Sequence, residues 1–387
     1  MTVFGILLLE DMGQLMVYDS VSQHLPWFNV RYNGGPVDVT IYNLLHHTGG
    51  LIDTQMFPPT EEMTEAELIA FLDGFELSLE PSTKFAYSNI GYILLGLIVE
   101  AASGQSYEGF MTQAVFHPLG MYDTFTNVQS ARATGRAIGG HRSSFFRPRA
   151  YDVLVSTLMM SSGGIYSSIS DMARWTGIHF GTIAVSEQFQ QIVQRSRIHH
   201  HATDAPFGGS TTYGAGWEMF EGGFGHSGFT PGFISDLVIF PDRDIAAVVL
   251  TNLNMPGLLW ASLVADAVEG ELTPIGTNMM AALDIGFSIV TIVVAAFSAV
   301  LFAVLGLNLF RHFTGGETSA SWVAPGVSLA VAGAGLAIMY LGLPAMFGVP
   351  YADTTIWGPG SIAPATAALW AMLAVSATSL LANVFVL

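Results

Sequence analysis

Phe233-Ile234-Ser235-Asp236-Leu237-Val238-Ile239-Phe240 and Ile245-Ala246-Ala247-Val248-Val249-Leu250-Thr251 flank the polar segment Pro241-Asp242-Arg243-Asp244. Two runs rich in Ile, Val and Phe around a Pro/Asp turn read as an antiparallel hairpin. Gly257–Val268 reads as a helix packing on it. Working outward towards the N-terminus, the pattern becomes helical. Phe4–Met12 reads as an amphipathic helix ending near Gly13. Thr40–His47 is a short helix followed by the turn Thr48-Gly49-Gly50. Thr64-Glu65-Ala66-Glu67 is a capping box opening a helix through Phe75. Asn89–Ala102 stops before Ser103-Gly104, and Ser106–Phe116 is ended by Pro118. Asp171–Phe180 and Ser186–Arg195 are two more helices. A helical middle with a terminal antiparallel sheet predicts an α+β or mixed-layer fold.

Composition divides the chain. Of its 387 residues 51% are hydrophobic and 11% charged, against about 25% charged in typical soluble domains. Between Pro274 and Leu387 the charged residues are Asp284, Arg311, Glu317 and Asp353. The whole chain carries a net charge of −18, of which the part before Pro274 holds −16 and the tail −2. Adaptation to high salt and an ordinary acidic surface both account for this. An acidic domain with Lys84 as its single lysine is a poor partner for nucleic acid, because phosphate repels it. There is no cysteine, so disulfides, thiolate metal sites and cysteine nucleophiles are excluded. His199-His200-His201 lacks further ligands at metal-binding spacing and reads as a solvated loop. No metal or cofactor is expected.

Three uncharged apolar runs of about 26 residues, 285–310, 322–347 and 362–387, close the sequence. About 20 apolar residues suffice to cross a bilayer. The expectation is therefore a domain over 1–273 followed by a three-helix transmembrane region over 285–387, with membrane lipid as a partner. Trp322 and Trp357 would lie near the interfaces. Spans without ionisable groups read as an anchor rather than a transport path. Arg311 after the first span places that loop in the cytoplasm and the large domain outside it. No export signal precedes that domain: Met1–Leu9 has no basic flank and runs into Glu10-Asp11.

Several segments, in order, resemble the serine β-lactamase-related family of class C β-lactamases, D-alanyl-D-alanine peptidases and esterases. Leu44-Leu45-His46-His47-Thr48-Gly49-Gly50-Leu51 is similar to its Leu-Leu-x-His-Thr-Ser-Gly-Leu. Tyr87-Ser88-Asn89 is similar to its central triplet, within a block from Pro81 to Gly104. Pro118-Leu119-Gly120-Met121 and Ser162-Gly163-Gly164-Ile165 resemble two further turns. Gly225-His226-Ser227-Gly228 resembles its Lys-Thr-Gly triplet in the His-x-Gly form. The resemblance covers roughly Val3 to Gly270 and implies a β-lactamase/transpeptidase-like fold that forms an acyl-enzyme on a serine.

The resemblance also implies roles. Tyr87 would be the base or proton relay if a cation lowered its pKa from about 10. Asn89 would orient the lysine and the substrate amide, and His226 would face a substrate carboxylate. Ser227, Gly228 and Phe229 would line the substrate, with the Phe229 N–H as an oxyanion donor. His47 reads as pinning a turn, and Ser88 as a positioning hydroxyl. The implied ligands are a small molecule or peptide: a peptidoglycan-like peptide, an ester or a β-lactam. The family's nucleophile motif, Ser-x-x-Lys, occurs nowhere in the sequence. Phe4–Leu15 resembles the stretch that follows it, so the expectation is a truncated domain that begins just after the motif and lacks the preceding strands. A mis-assigned start or fragment, a non-catalytic binding relative, and a decayed gene product all fit that departure. In this form the domain is expected to be inactive.

Overall fold

The computed structural model describes residues 1–52, 64–145, 147–151, 156–200 and 211–254, and then 288–289, 291–293, 307, 310, 314, 323–342 and 362–386. In chain order the elements are α1 (Thr2–Asp11), α2 (Val21–His24), β1 (Val30–Tyr32), β2 (Gly35–Pro36), α3 (Ile41–Leu45), α4 (Glu65–Leu72), β3 (Phe75–Glu76), α5 (Asn89–Ser103), α6 (Tyr107–Phe110) and α7 (Val128–Ala133). There follow β4 (His141–Ser144), β5 (Arg147–Ala150), α8 (Ile169–Phe180), α9 (Glu187–Ser196), β6 (Thr212–Gly214), β7 (Trp217–Phe220), β8 (Gly223–Thr230), β9 (Phe233–Phe240), β10 (Ile245–Thr251), β11 (Leu253–Asn254), α10 (Val323–Ala337) and α11 (Ile362–Val386). They form two units. One holds the described residues up to Gly140 and from Ser156 to Asn252. The other holds His141–Tyr151, Leu253–Asn254 and the described residues of the C-terminal region.

The first unit is an α+β domain around α1. Val3, Phe4, Ile6, Leu7, Leu8 and Leu9 are all buried, so α1 is a central helix rather than the amphipathic one expected. A helix that is apolar all round has no face for water and must be enclosed. It packs against α5 and α9. Arg195 at the end of α9 ties the two together, pairing with Glu10 and, at 2.5 Å, with Asp11. The helix ends follow their sequence signals. Thr64 and Glu67 close a capping box on α4, which stops at Leu72 so that Phe75 enters β3. Gly104 ends α5 in the left-handed conformation, which a residue without Cβ adopts at little cost.

Five antiparallel strands lie in the order β10-β9-β8-β7-β6. The expected hairpin is β9–β10, with Phe240 opposite Ile245 and Ile234 opposite Thr251. Among the described residues β10 and β6 are the outer strands. The strands before the hairpin, β6 to β8, are Gly-rich and lacked a β-branched signal. Gly225 on β8 is dictated by packing: a Cβ there would lie 2.2 Å from the Leu237 carbonyl oxygen of β9.

In the second unit β11, β4 and β5 form a small sheet in that order. Arg142 lies over the Tyr151 ring at 4.0 Å. Separately, α10 and the turn after it pack on α11 through Ala332, Leu336, Met339, Ile362, Leu369 and Met372. Gly335 allows the close approach, since a Cβ would lie 2.7 Å from Leu369.

The three transmembrane helices are corrected. Among the described residues no helix is long and apolar enough to cross a membrane. The helix α10 has 15 residues, or about 22 Å at 1.5 Å per residue, against a hydrocarbon core of about 30 Å. It passes at Ile338 into a π-helical turn. In α11 the described side chains end at Ala374, and most of 285–310 lies outside the described residues. Hydropathy reports composition; a span also needs an unbroken helix. The helix read over Gly257–Val268 also lies outside the described residues.

Two predictions follow from the core. Gly225→Ala should lower unfolding stability by about 1–3 kcal/mol, because the clash is with backbone that cannot swing away; an unchanged urea midpoint would show that β8 shifts freely. The second concerns His47 and His179, whose pKa values burial pushes well below 6.5, helped by neighbouring His226 and Arg197 respectively. His179 sits among Phe4, Trp175, Trp217 and Phe224. Both stay neutral when folded, whereas the unfolded chain binds protons below about pH 6.5. Their contribution is therefore complete above that pH and is lost as pH falls towards their folded values, at up to about 1.4 kcal/mol per pH unit for each. His179→Phe should flatten that decline in denaturation between pH 8 and 5; an equal slope removes His179 from the account.

Candidate functional site

Ser88 sets the first half of the site. Its backbone is extended, and its hydroxyl accepts from the Gly91 N–H at 3.0 Å, capping α5. A serine there meets one of the amides that a helix N-terminus leaves without an intrahelical partner. The cap fixes its neighbours: Tyr87 immediately before it, and Asn89 as the first residue of the helix, both half-buried. Ser88 itself is buried with its hydroxyl at the cap, which suits positioning rather than attack.

His47 is the bracket behind this segment. Its backbone has φ of 54°, a left-handed conformation uncommon for a side chain with Cβ. The turn is held by the Ala86 N–H donating to the His47 carbonyl at 2.7 Å. Its imidazole is buried. Nδ1 accepts from the Ser88 N–H at 3.0 Å. The ring lies 4.3 Å from the Tyr87 ring and 4.8 Å from the Tyr92 ring, centroid to centroid. So His47 pins a turn, as its sequence position suggested, and also supports Tyr87.

The second half of the site is on β8. Facing β9, His226 is opposite Leu237, Ser227 opposite Asp236, Gly228 opposite Ser235 and Phe229 opposite Ile234. Gly228 admits that neighbour, since a Cβ would lie 2.3 Å from the Ser235 hydroxyl. On the other side, the pairing with β7 stops at Gly225 opposite Glu218. The stretch from His226 to Thr230 thus runs beyond the end of β7. The Tyr87 and His226 rings are 6.2 Å apart, so the two sequence motifs meet although 139 positions separate them. Both His226 nitrogens meet protein atoms. Nε2 is 3.0 Å from the Tyr213 hydroxyl, and Nδ1 is 2.6 Å from the Ser227 carbonyl and 3.9 Å from Glu218 Oε1.

Tyr213 was not singled out by its sequence, where it is one aromatic residue at the start of a short strand. The structure buries it between His47 Nε2, at 3.2 Å, and His226. Burial raises its pKa well above 10, reinforced by Tyr92, Tyr87 and Glu218. Among the described residues no group of three His, Asp or Glu could hold a metal. The solvated loop expected at 199–201 is corrected at His200: His199 is exposed, but His200 is buried, its ring tilted against those of Tyr42 and His46 at 5.5 and 6.0 Å between centroids, and His201 lies outside the described residues.

Known proteins share this sequence and fold. The family described as Beta-lactamase matches residues 1–267. Protein flp of Staphylococcus aureus (strain COL) is 28% identical over 270 residues, covering 65% of this chain and 51% of that protein. Penicillin-binding protein 4* of Bacillus subtilis (strain 168) is 28% identical over 286 residues, with 65% and 58% covered. The chain therefore spans little more than half the length of these curated relatives. Among solved structures, a β-lactamase/D-alanine carboxypeptidase from Pseudomonas syringae superposes with a TM-score of 0.58 at 20% identity, covering 70% of this chain and 82% of that one. The octameric penicillin-binding protein homologue from Pyrococcus abyssi gives 0.56 at 23%, with 70% and 64% covered. The family match extends over most of the chain and over every site residue described above, and the chain belongs to the Beta-lactamase family, with its serine-hydrolase-like fold.

Proposed function

We propose that this domain receives a peptide, ester or β-lactam ligand along β8 from His226 to Phe229, and that in the sequence given it does so without forming an acyl-enzyme. The observation that carries the first part is the meeting of Tyr87 and His226 beside a strand that outruns its neighbour β7. An extended ligand lying along that edge would gain main-chain hydrogen bonds by strand addition. Ser227, exposed on β8, adds a polar side chain to that edge. The names of the relatives, a penicillin-binding protein and a β-lactamase/D-alanine carboxypeptidase, point to the same ligand chemistry.

The second part rests on chemistry. Acyl transfer needs an activated nucleophile. The sequence has no Ser-x-x-Lys, and its one lysine, Lys84, is exposed in the turn before Tyr87. Ser88, the hydroxyl adjacent to Tyr87, is committed to its helix cap. A binding module for cell-wall peptides or a partner is therefore the reading that the residues present support best.

Two measurements test these parts separately. Neither a fluorescent penicillin nor a fluorophosphonate should label the protein covalently; a labelled serine located by mass spectrometry overturns the non-acylating reading. Calorimetry with a peptide ending in D-Ala-D-Ala should show binding heat without turnover, reduced at least several-fold by Asn89→Ala. Heat no greater than dilution would count against ligand binding at β8.

A further inference from the structure

Two contacts decide where the protons sit between the halves of this site. A backbone N–H can only donate, so His47 Nδ1, at 3.0 Å from the Ser88 amide, must accept. The neutral His47 ring then carries its proton on Nε2 and donates to the Tyr213 oxygen at 3.2 Å. At the other end, a carbonyl oxygen can only accept, so His226 Nδ1, at 2.6 Å from the Ser227 oxygen, must donate. In the neutral His226 ring that leaves a lone pair on Nε2, facing the Tyr213 hydroxyl at 3.0 Å. Two lone pairs at that distance would repel, so Tyr213 donates to it. Tyr92 also hydrogen-bonds with Tyr213. Its own proton goes to the Leu45 carbonyl at 2.9 Å, so it too offers Tyr213 only an acceptor. The Ser227 carbonyl fixes a lone pair on His226 Nε2 and so makes it an acceptor for the one Tyr213 proton, in competition with Tyr92.

We infer that Tyr213 is a positioning residue that, anchored by His47, donates to Nε2 of a His226 whose proton sits on Nδ1, so that both ring nitrogens are engaged by the protein. The string runs in one direction, from the Ser88 amide through His47, Tyr213 and His226 to the Ser227 carbonyl. It couples the cap of α5, which carries Tyr87 and Asn89, to β8. Bonds aligned head to tail polarise one another, and more so where water is excluded. The groups facing His226 are Tyr213 on β6, Tyr87 before α5, and Glu218 on β7 with its carboxylate 3.9 Å from Nδ1. Tyr213 therefore fixes the orientation of the imidazole that borders the proposed ligand edge. A ligand there meets the β8 backbone and the Ser227 hydroxyl beside an oriented ring. This consequence rests on the ligand-binding reading; the tautomer does not.

The test is made on the protein without ligand, so it can fail while the labelling and calorimetry results stand, and the reverse. With ¹⁵N-labelled imidazoles at pH 8, long-range ¹H–¹⁵N correlation should show opposite tautomers for two histidines: Nε2–H for His47 and Nδ1–H for His226. Loss of one set in His226→Gln assigns it. In Tyr213→Phe the Ser227 carbonyl still holds the His226 proton on Nδ1, but Nε2 loses its donor, so its resonance should move further from the protonated position, to that of an imidazole nitrogen without a hydrogen bond. His47 should keep its Nε2–H form, because the Ser88 amide still fixes it. A wild-type His226 found as Nε2–H, or as a mixture, overturns the inference. So does a folded Tyr213→Phe protein whose His226 spectrum is that of the wild type. If that variant does not fold, the wild-type tautomer alone decides.

Discussion

The hydrogen bond from the Ser88 amide to His47 Nδ1 is the constraint on which the site depends. It is made by a group that folding cannot leave unpaired cheaply: a buried backbone N–H without a partner costs about 1–3 kcal/mol. Because the donor is fixed, it sets the tautomer of His47, which then faces Tyr213 with its Nε2–H. The same residue caps α5 with its hydroxyl, so one serine orients both a helix and an imidazole. Tyr87 and Asn89 take their places from that cap. His226 takes its ring orientation from the far end of the string.

Left-handed backbone at His47 fits this account. Such a conformation is unfavourable for a residue with Cβ and persists where the surroundings over-determine it. Here the surroundings are specific. The Ala86 amide holds the His47 carbonyl, the Ser88 amide holds its ring, and the rings of Tyr87, Tyr92 and Tyr213 enclose it. The next residues, Thr48 to Gly50, complete the turn, and Gly50 lies so close to the Leu79 carbonyl that a Cβ would be 2.2 Å away. Glycine at this position reflects close approach of two backbones as well as a positive φ of 76°.

The elements legible in the sequence were those with local causes. Thr64 with Glu67, Gly104 after α5 and the Pro241–Asp244 turn each announce a boundary through their own hydrogen bonding or backbone freedom. The β9–β10 hairpin announced itself through β-branched runs. Strands β6 and β8 did not, because Gly223, Gly225 and Gly228 lie close against β9 and Gly214 against the end of α9, proximities that a single sequence does not display. The pair Tyr87 and His226 was legible only through family motifs. Tyr213 was not, since its role arises from three segments converging. The three-span expectation is overturned among the described residues, where no helix is long and apolar enough to cross a membrane; residues 322–347 are apolar throughout, yet the regular helix there ends at Ala337.

Burial of α1 links the sequence's missing motif to the rest of the domain. An apolar helix enclosed on all sides needs no nucleophile to be retained, because its six buried side chains hold α5 and α9 in place. Each fully buried Leu, Ile, Val or Phe contributes about 1.5–3 kcal/mol, far more than any hydrogen bond of the site. The scaffold that carries Tyr87, Asn89 and His226 thus rests on residues other than those of the site: the buried side chains of α1 and the helices α5 and α9 that it packs against.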